Sequence, residues 1–270
     1  MSDLVFAFLL YFGELLVLTL GTAVICGFAV RLCACLFAKL SGSGSGAVFD
    51  ITAVVGTPVH ELGHAAMCVI FGHKIQRVKL WSPFAKNGVY GYVEHSYNRK
   101  NPWAVLGNLP IALGPIFSGL GVTVLTLWLC FPVQWGTYLS SSQALLTAGA
   151  SPERITEGVL SLLASLPSAF AHDWLRASLG LLVILSVSLH ISLSWQDIKG
   201  AASALPIYFI MLLVFGIVTW LAGIGTPIAS ALWLWNLRML SLFCVVIAFS
   251  AVWVAVALVI WLVRLVIGWF

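Results

Sequence analysis

The chain has 270 residues, of which 61% are hydrophobic and 8% charged, and its formal net charge is +4. Soluble domains carry about 25% charged residues, so this composition excludes an ordinary soluble protein and describes apolar helices crossing a bilayer. No polar stretch is long enough for a separate soluble domain, and so small a charge gives no reason to expect a nucleic-acid partner.

The first apolar run, residues 4–37, exceeds the roughly 20 residues that one crossing needs. It reads as a long tilted span, or as a span with an interfacial extension. Glu14 and Arg31 lie within it, and Arg31 is expected to snorkel toward one end. With Asp3 and no basic segment before it, the run reads as an uncleaved span and not as a signal peptide. Ser41-Gly42-Ser43-Gly44-Ser45-Gly46 reads as a flexible linker and closes a first segment, residues 1–46.

The second run, residues 47–71, contains His60-Glu61-Leu62-Gly63-His64. Histidines four apart share one helical face, so both imidazoles can reach one Zn²⁺, with Glu61 beside them to take a proton from metal-activated water. Three polar side chains in a spanning helix are costly, which makes them a functional hypothesis by default. The competing reading is a helix whose histidines bond only to neighbouring helices. Thr57-Pro58 just before the motif is either a helix start or a proline kink. Gly63 and Ala65 leave room for close approach by substrate or another helix.

Residues 73–101 form a polar insert. Residues 74–81 alternate as a strand should, residues 89–94 are rich in β-formers, and Lys86-Asn87-Gly88 between them carries a turn signal. A β-hairpin at the membrane surface is expected. The third run, residues 102–131, is interrupted by Pro110, Gly114 and Pro115. Residues 132–174 read as a mixed loop holding one short membrane-lying helix opened by Ser151-Pro152-Glu153-Arg154. Runs at 175–195, 204–223 and 231–270 complete the chain. The expectation is an all-α polytopic membrane protein of about six transmembrane helices, with the small β-hairpin at the cytoplasmic face. Residues 47–200 would form the core, and residues 201–270 the C-terminal spans. Six cysteines (Cys26, Cys33, Cys35, Cys68, Cys130 and Cys244) lie in or near apolar runs, form no CxxC pair, and read as buried thiols acting as small hydrophobes.

Lys74, Arg77, Lys79, Lys86, Arg99 and Lys100 make the insert side cytoplasmic. With six spans both termini fall on that side of a cell membrane. Gly63 is then about 12 Å of helix beneath the surface.

A catalytic zinc needs a third protein ligand. Glu94 is the first acid after the motif, and it sits among basic residues. Asp197 ends the fourth run at a compatible depth, and His190 lies two turns before it. Either can bind metal, the other then orienting a ligand or touching substrate. His190 or Asn108 would serve as oxyanion donor.

Pro58-Val59-His60-Glu61-Leu62-Gly63-His64-Ala65 in an apolar segment resembles the site-2-protease-like intramembrane zinc metalloproteases. The β-rich insert, the Gly114-Pro115 break in the next span and a distal Asp fit the same family, over roughly residues 47–200. The resemblance implies that His60, His64 and Asp197 bind Zn²⁺ and that Glu61 is the general base. It implies peptide-bond hydrolysis in a transmembrane protein or peptide substrate within the bilayer. The family's Asn-Pro-Asp-Gly type segment is here Ser194-Trp195-Gln196-Asp197-Ile198-Lys199-Gly200, and no clear PDZ-like insertion is present. The alternatives are a proteolytically inactive relative acting as a membrane binding or scaffold protein, and a metal-handling transporter. The transporter would need more intramembrane polar residues than Glu14, Asp50 and the motif supply.

Overall fold

A computed structural model describes residues 2–83, 89–147 and 152–267. Helix α1 (Ser2–Leu16) passes through one π turn at Val17–Gly21 into α2 (Thr22–Ser41). Together they make a rod of 40 residues, about 60 Å long at 1.5 Å per residue. The Gly/Ser stretch, expected as a flexible linker, is instead an ordered turn. Gly42 takes a positive φ of 58°, Ser45 Oγ donates to Gly42 O at 2.7 Å, and Arg264 Nη1 donates to Ser41 O at 2.9 Å.

Helix α3 (Ser45–Ile70) therefore begins at this turn, with Pro58 inside it, and not at Thr57. Strands β1 (Lys74–Lys79) and β2 (Tyr92–Ser96) pair antiparallel with Ile75 opposite His95, and the register slips between Ile75 and Arg77. The strand expected at 89–94 lies slightly later, and the turn at Lys86-Asn87-Gly88 falls outside the described residues. Helix α4 (Pro102–Cys130) is capped by Asn101, whose Oδ1 accepts from the Trp103 N–H at 3.0 Å.

The expected mixed loop is in fact a pair of helices packed on each other, α5 (Pro132–Thr147) and α6 (Pro152–His172). Their serines and glycines dilute the apolar signal, but tertiary burial of Tyr138, Val159 and Leu162 holds them helical. Helix α7 (Trp174–His190) breaks over residues 191–194 and resumes as α8 (Trp195–Ala202), bent by 56°. Helices α9 (Leu205–Leu221) and α10 (Gly225–Ile267) follow.

Among the described residues, four helices are long and apolar enough to cross a membrane, or five if α7 and α8 form one span. Their outward residues, such as Leu9, Ile25, Ile51, Val69 and Val259, are large, apolar and exposed, as lipid contact requires. The central core joins Val30 of α2, Leu113 and Ile116 of α4, Val187 of α7 and Phe243 of α10.

Chain direction follows from contacts between distant residues. Moving up α1–α2, Tyr11 meets Gly225, Leu18 O meets Asn236, and Ser41 meets Arg264, so α10 runs parallel to α1–α2. Moving along α7 to α9, Arg176 touches Leu129, Ser203 touches Asn108, Tyr208 touches Thr19 and Thr219 touches Tyr11. The fourth and fifth apolar runs thus follow one direction along the bundle, antiparallel to α10. The two ends of the described chain consequently lie at opposite ends of the bundle.

Candidate metal centre

The motif lies where α3 crosses α4 and α7. Gly63 and Gly114 put the two backbones of α3 and α4 in contact: a Cβ on Gly63 would stand 2.5 Å from Gly114 C and O. Gly56 does the same against α7, where a Cβ would stand 2.5 Å from His190 Nδ1. These close approaches bring backbone carbonyls within reach of the histidines.

Each of those carbonyls is one that helix geometry leaves without its usual partner. Pro115 has no N–H to give to Ile111 O, four residues back, and His64 Nδ1–H donates to that oxygen at 2.8 Å. Helix α7 ends at His190, whose O accepts from His60 Nδ1–H at 2.6 Å. A carbonyl can only accept, so both Nδ1 atoms carry the proton and both Nε2 atoms present lone pairs. Those Nε2 atoms are 3.1 Å apart.

The third group is Asp197. Its Oδ2 accepts from the Ser194 N–H at 2.8 Å, and Ser194 Oγ accepts from the Asp197 N–H at 3.1 Å, a capping box at the start of α8. Its Oδ1 is left to face His64 Nε2 at 3.3 Å. Arg31, which does not snorkel, donates from Nη1 to Leu193 O at 2.6 Å and anchors the break that carries Asp197. His60, His64 and Asp197 thus offer three electron pairs to one point and can hold a metal ion.

These residues open onto a cavity of about 790 Å³ that Glu61, Thr57, Asn108, His190 and the segment 89–93 also line. Glu61 is 7% exposed. The His190 ring does not join the converging group; it gives Nδ1–H to Ser186 O at 3.0 Å, and its Nε2 is buried with no partner. In that neutral form Nε2 accepts, so the ring would act as an oxyanion donor only as an imidazolium. Asn108 gives one amide N–H to Ser203 Oγ at 3.0 Å, tying α4 to the end of α8. Glu94 lies out on β2, 3.8 Å from Arg77 Nε and half exposed.

The hairpin is held against this site. A Cβ on Gly91 would meet Thr57 Cγ2 at 2.7 Å and Glu61 Cγ at 2.8 Å. Tyr90 donates its hydroxyl to Asp50; burial first, then that carboxylate, raises its pKa. His95 of β2, on the cavity wall, has its pKa lowered by burial and by the neighbouring His73 and His64. Neither His73 nor His95 stands out in sequence, because 21 residues and a register slip separate them before β1 and β2 pair. The orienting carbonyl of Ile111 was signalled only indirectly, by a proline four positions on.

The chain matches no family model, no curated protein and no solved structure.

Proposed function

We propose that this chain is a zinc-dependent intramembrane endopeptidase of the site-2-protease-like class, acting on transmembrane protein or peptide substrates. The observation that carries the reading is the convergence of His60 Nε2, His64 Nε2 and Asp197 Oδ1, with both imidazole protons already engaged by carbonyls. Neither histidine has a proton left to share with the other or with the carboxylate, so a cation best reconciles the three. Two imidazoles and one carboxylate suit Zn²⁺ and leave a fourth position for water. A zinc ion there would polarise a substrate carbonyl and lower the pKa of water.

The protein's own groups do the rest. Glu61 stands one residue from His60 on the wall of the same cavity. Its carboxylate takes the proton of the attacking water and returns it to the departing amine nitrogen. Asn108, with one amide N–H given to Ser203, has a second to offer an oxyanion. Thr57 Oγ1 and His190 Nε2, both buried without partners on the cavity wall, suit the backbone of an extended peptide. A spanning substrate must unwind to expose its amides, and the segment 89–95 beside the cavity offers a strand edge to receive it.

The hairpin end, with Lys74, Arg77, Lys79, Arg99 and Lys100, would face the cytoplasm of a cell membrane. Five crossings then put the N-terminus on the cytoplasmic side and the C-terminus on the other.

The test is metal content together with cleavage of a panel of single-span reporter proteins by the purified chain. Zinc should be bound through His60, His64 and Asp197, and Glu61→Gln should keep the zinc and lose cleavage by about 10²–10⁴-fold. Bound zinc with no Glu61-dependent cleavage would favour a proteolytically silent binding protein.

A further inference from the structure

A second group of metal-binding side chains lies where the end of α3, the turn after it and β2 meet. Cys68 Sγ and one ring nitrogen each of His73 and His95 all lie within 4.8 Å of one another. Cys68 is fully buried, His73 is 5% exposed, and His95 is half-buried on the cavity wall.

The His73 ring is fixed in the way the motif histidines are. Its Nε2–H donates to Ala104 O at 2.6 Å, which leaves a lone pair on Nδ1. Tyr97 stacks on the ring with centroids 4.7 Å apart, and a Cβ on Gly107 would press within 3.1 Å of Nε2. His73 Nδ1 faces His95 Nδ1 at 3.0 Å. Two ligands of one tetrahedral ion with bonds of about 2.0 Å are separated by about 3.3 Å, so little movement is needed. A proton shared between the two rings would satisfy them, but it gives the buried thiol beside them no role. One thiolate and two imidazole nitrogens form a donor set that suits Zn²⁺ better than a hard cation.

We propose that Cys68, His73 and His95 form a second transition-metal site, of the zinc class, that staples β2 to the end of the motif helix. Binding replaces the Cys68 S–H bond by a metal–sulfur bond, and the proton leaves to solvent. The site shares no ligand with His60, His64 and Asp197, and it does not depend on the chain being a protease. It would fix the strand beside the cavity at the distance from Glu61 that the Gly91 contact requires.

Sulfur separates the two sites experimentally, because the first has none. The full-length chain, purified in detergent and stripped by chelator, is titrated with Zn²⁺ and with Co²⁺. Two equivalents of Zn²⁺ are expected, and the Co²⁺ form should show a thiolate-to-cobalt charge-transfer band in the near ultraviolet. Cys68→Ser should lose the band and one equivalent. His95→Gln, on the half-exposed strand, should do the same without burdening the fold. The double variant His60→Ala/His64→Ala should keep the band and lose the other equivalent. A wild-type chain that shows the band but cleaves no reporter would sink the protease reading while upholding this one. Absence of the band from the wild-type chain, or its persistence in Cys68→Ser, would overturn the second site.

Discussion

The two clusters differ in what orients them. At His60, His64 and Asp197 every orienting partner is main chain: Ile111 O, His190 O and the Ser194 N–H. At Cys68, His73 and His95, among the described residues, only His73 is tied in that way, to Ala104 O, and His95 rides on a two-stranded hairpin. The first cluster is therefore set by how closely three helices approach, and the second by where a hairpin rests. Substitutions at glycines and prolines that touch no ligand should reach the first and spare the second.

Gly63→Ala should have the largest effect. Its Cβ would stand 2.5 Å from backbone atoms of Gly114 and from Ser118 Oγ, so α4 must retreat and carry Ile111 O away from His64. Overpacking of this kind costs about 1–3 kcal/mol, and Glu61-dependent cleavage should vanish. Gly121→Ala on α4, where a Cβ meets nothing within 4 Å, should leave cleavage intact and raise the thermal midpoint slightly. Equal behaviour of the two variants would show that the α3–α4 contact does not position the site.

Next in size is Pro115→Ala, which restores an N–H able to compete for Ile111 O. Losing an orienting partner of this kind typically weakens metal binding about 10–100-fold. The fold should hold or gain, since a proline has left a helix interior. A zinc competition titration reads the affinity; an unchanged value would break the link between the proline and His64. The thiolate–cobalt band of the second cluster should persist in this variant.

Much of the plan was legible in the sequence, and the limits have physical causes. Histidines at four-residue spacing and a strand-forming insert are local patterns, and α3 and the β1–β2 pair follow them. The Gly63 opening also had a local signature, although only the structure shows Gly114 to be its occupant. The run from 132 to 174 reads as a mixed loop with one short helix because its two helices depend on tertiary burial and not on apolar density. The direction of α9 is not legible in sequence, because a run of apolar residues states its length and not which way it continues from its predecessor. Cys68 read as a small hydrophobe for the same reason: its neighbours His73 and His95 join it only through hairpin pairing and the turn after α3.

The smallest effect, and the most discriminating, belongs to Ser194→Ala. Asp197 has two roles in the structure, closing the start of α8 through Oδ2 and facing His64 through Oδ1. Removing the Ser194 hydroxyl takes away one of the two capping hydrogen bonds, at a cost of about 1 kcal/mol, while the Asp197 carboxylate stays. If all of that loss reached the metal, affinity would fall about fivefold. Asp197→Ala removes the cap and the facing oxygen together, and should weaken zinc binding by at least about 100-fold, beyond the range of an orienting partner. The gap between the two variants measures how much of Asp197 belongs to the metal and how much to the helix. Should both weaken zinc alike, Asp197 is a cap that lies beside the histidines, and the third ligand must be sought elsewhere on the cavity wall.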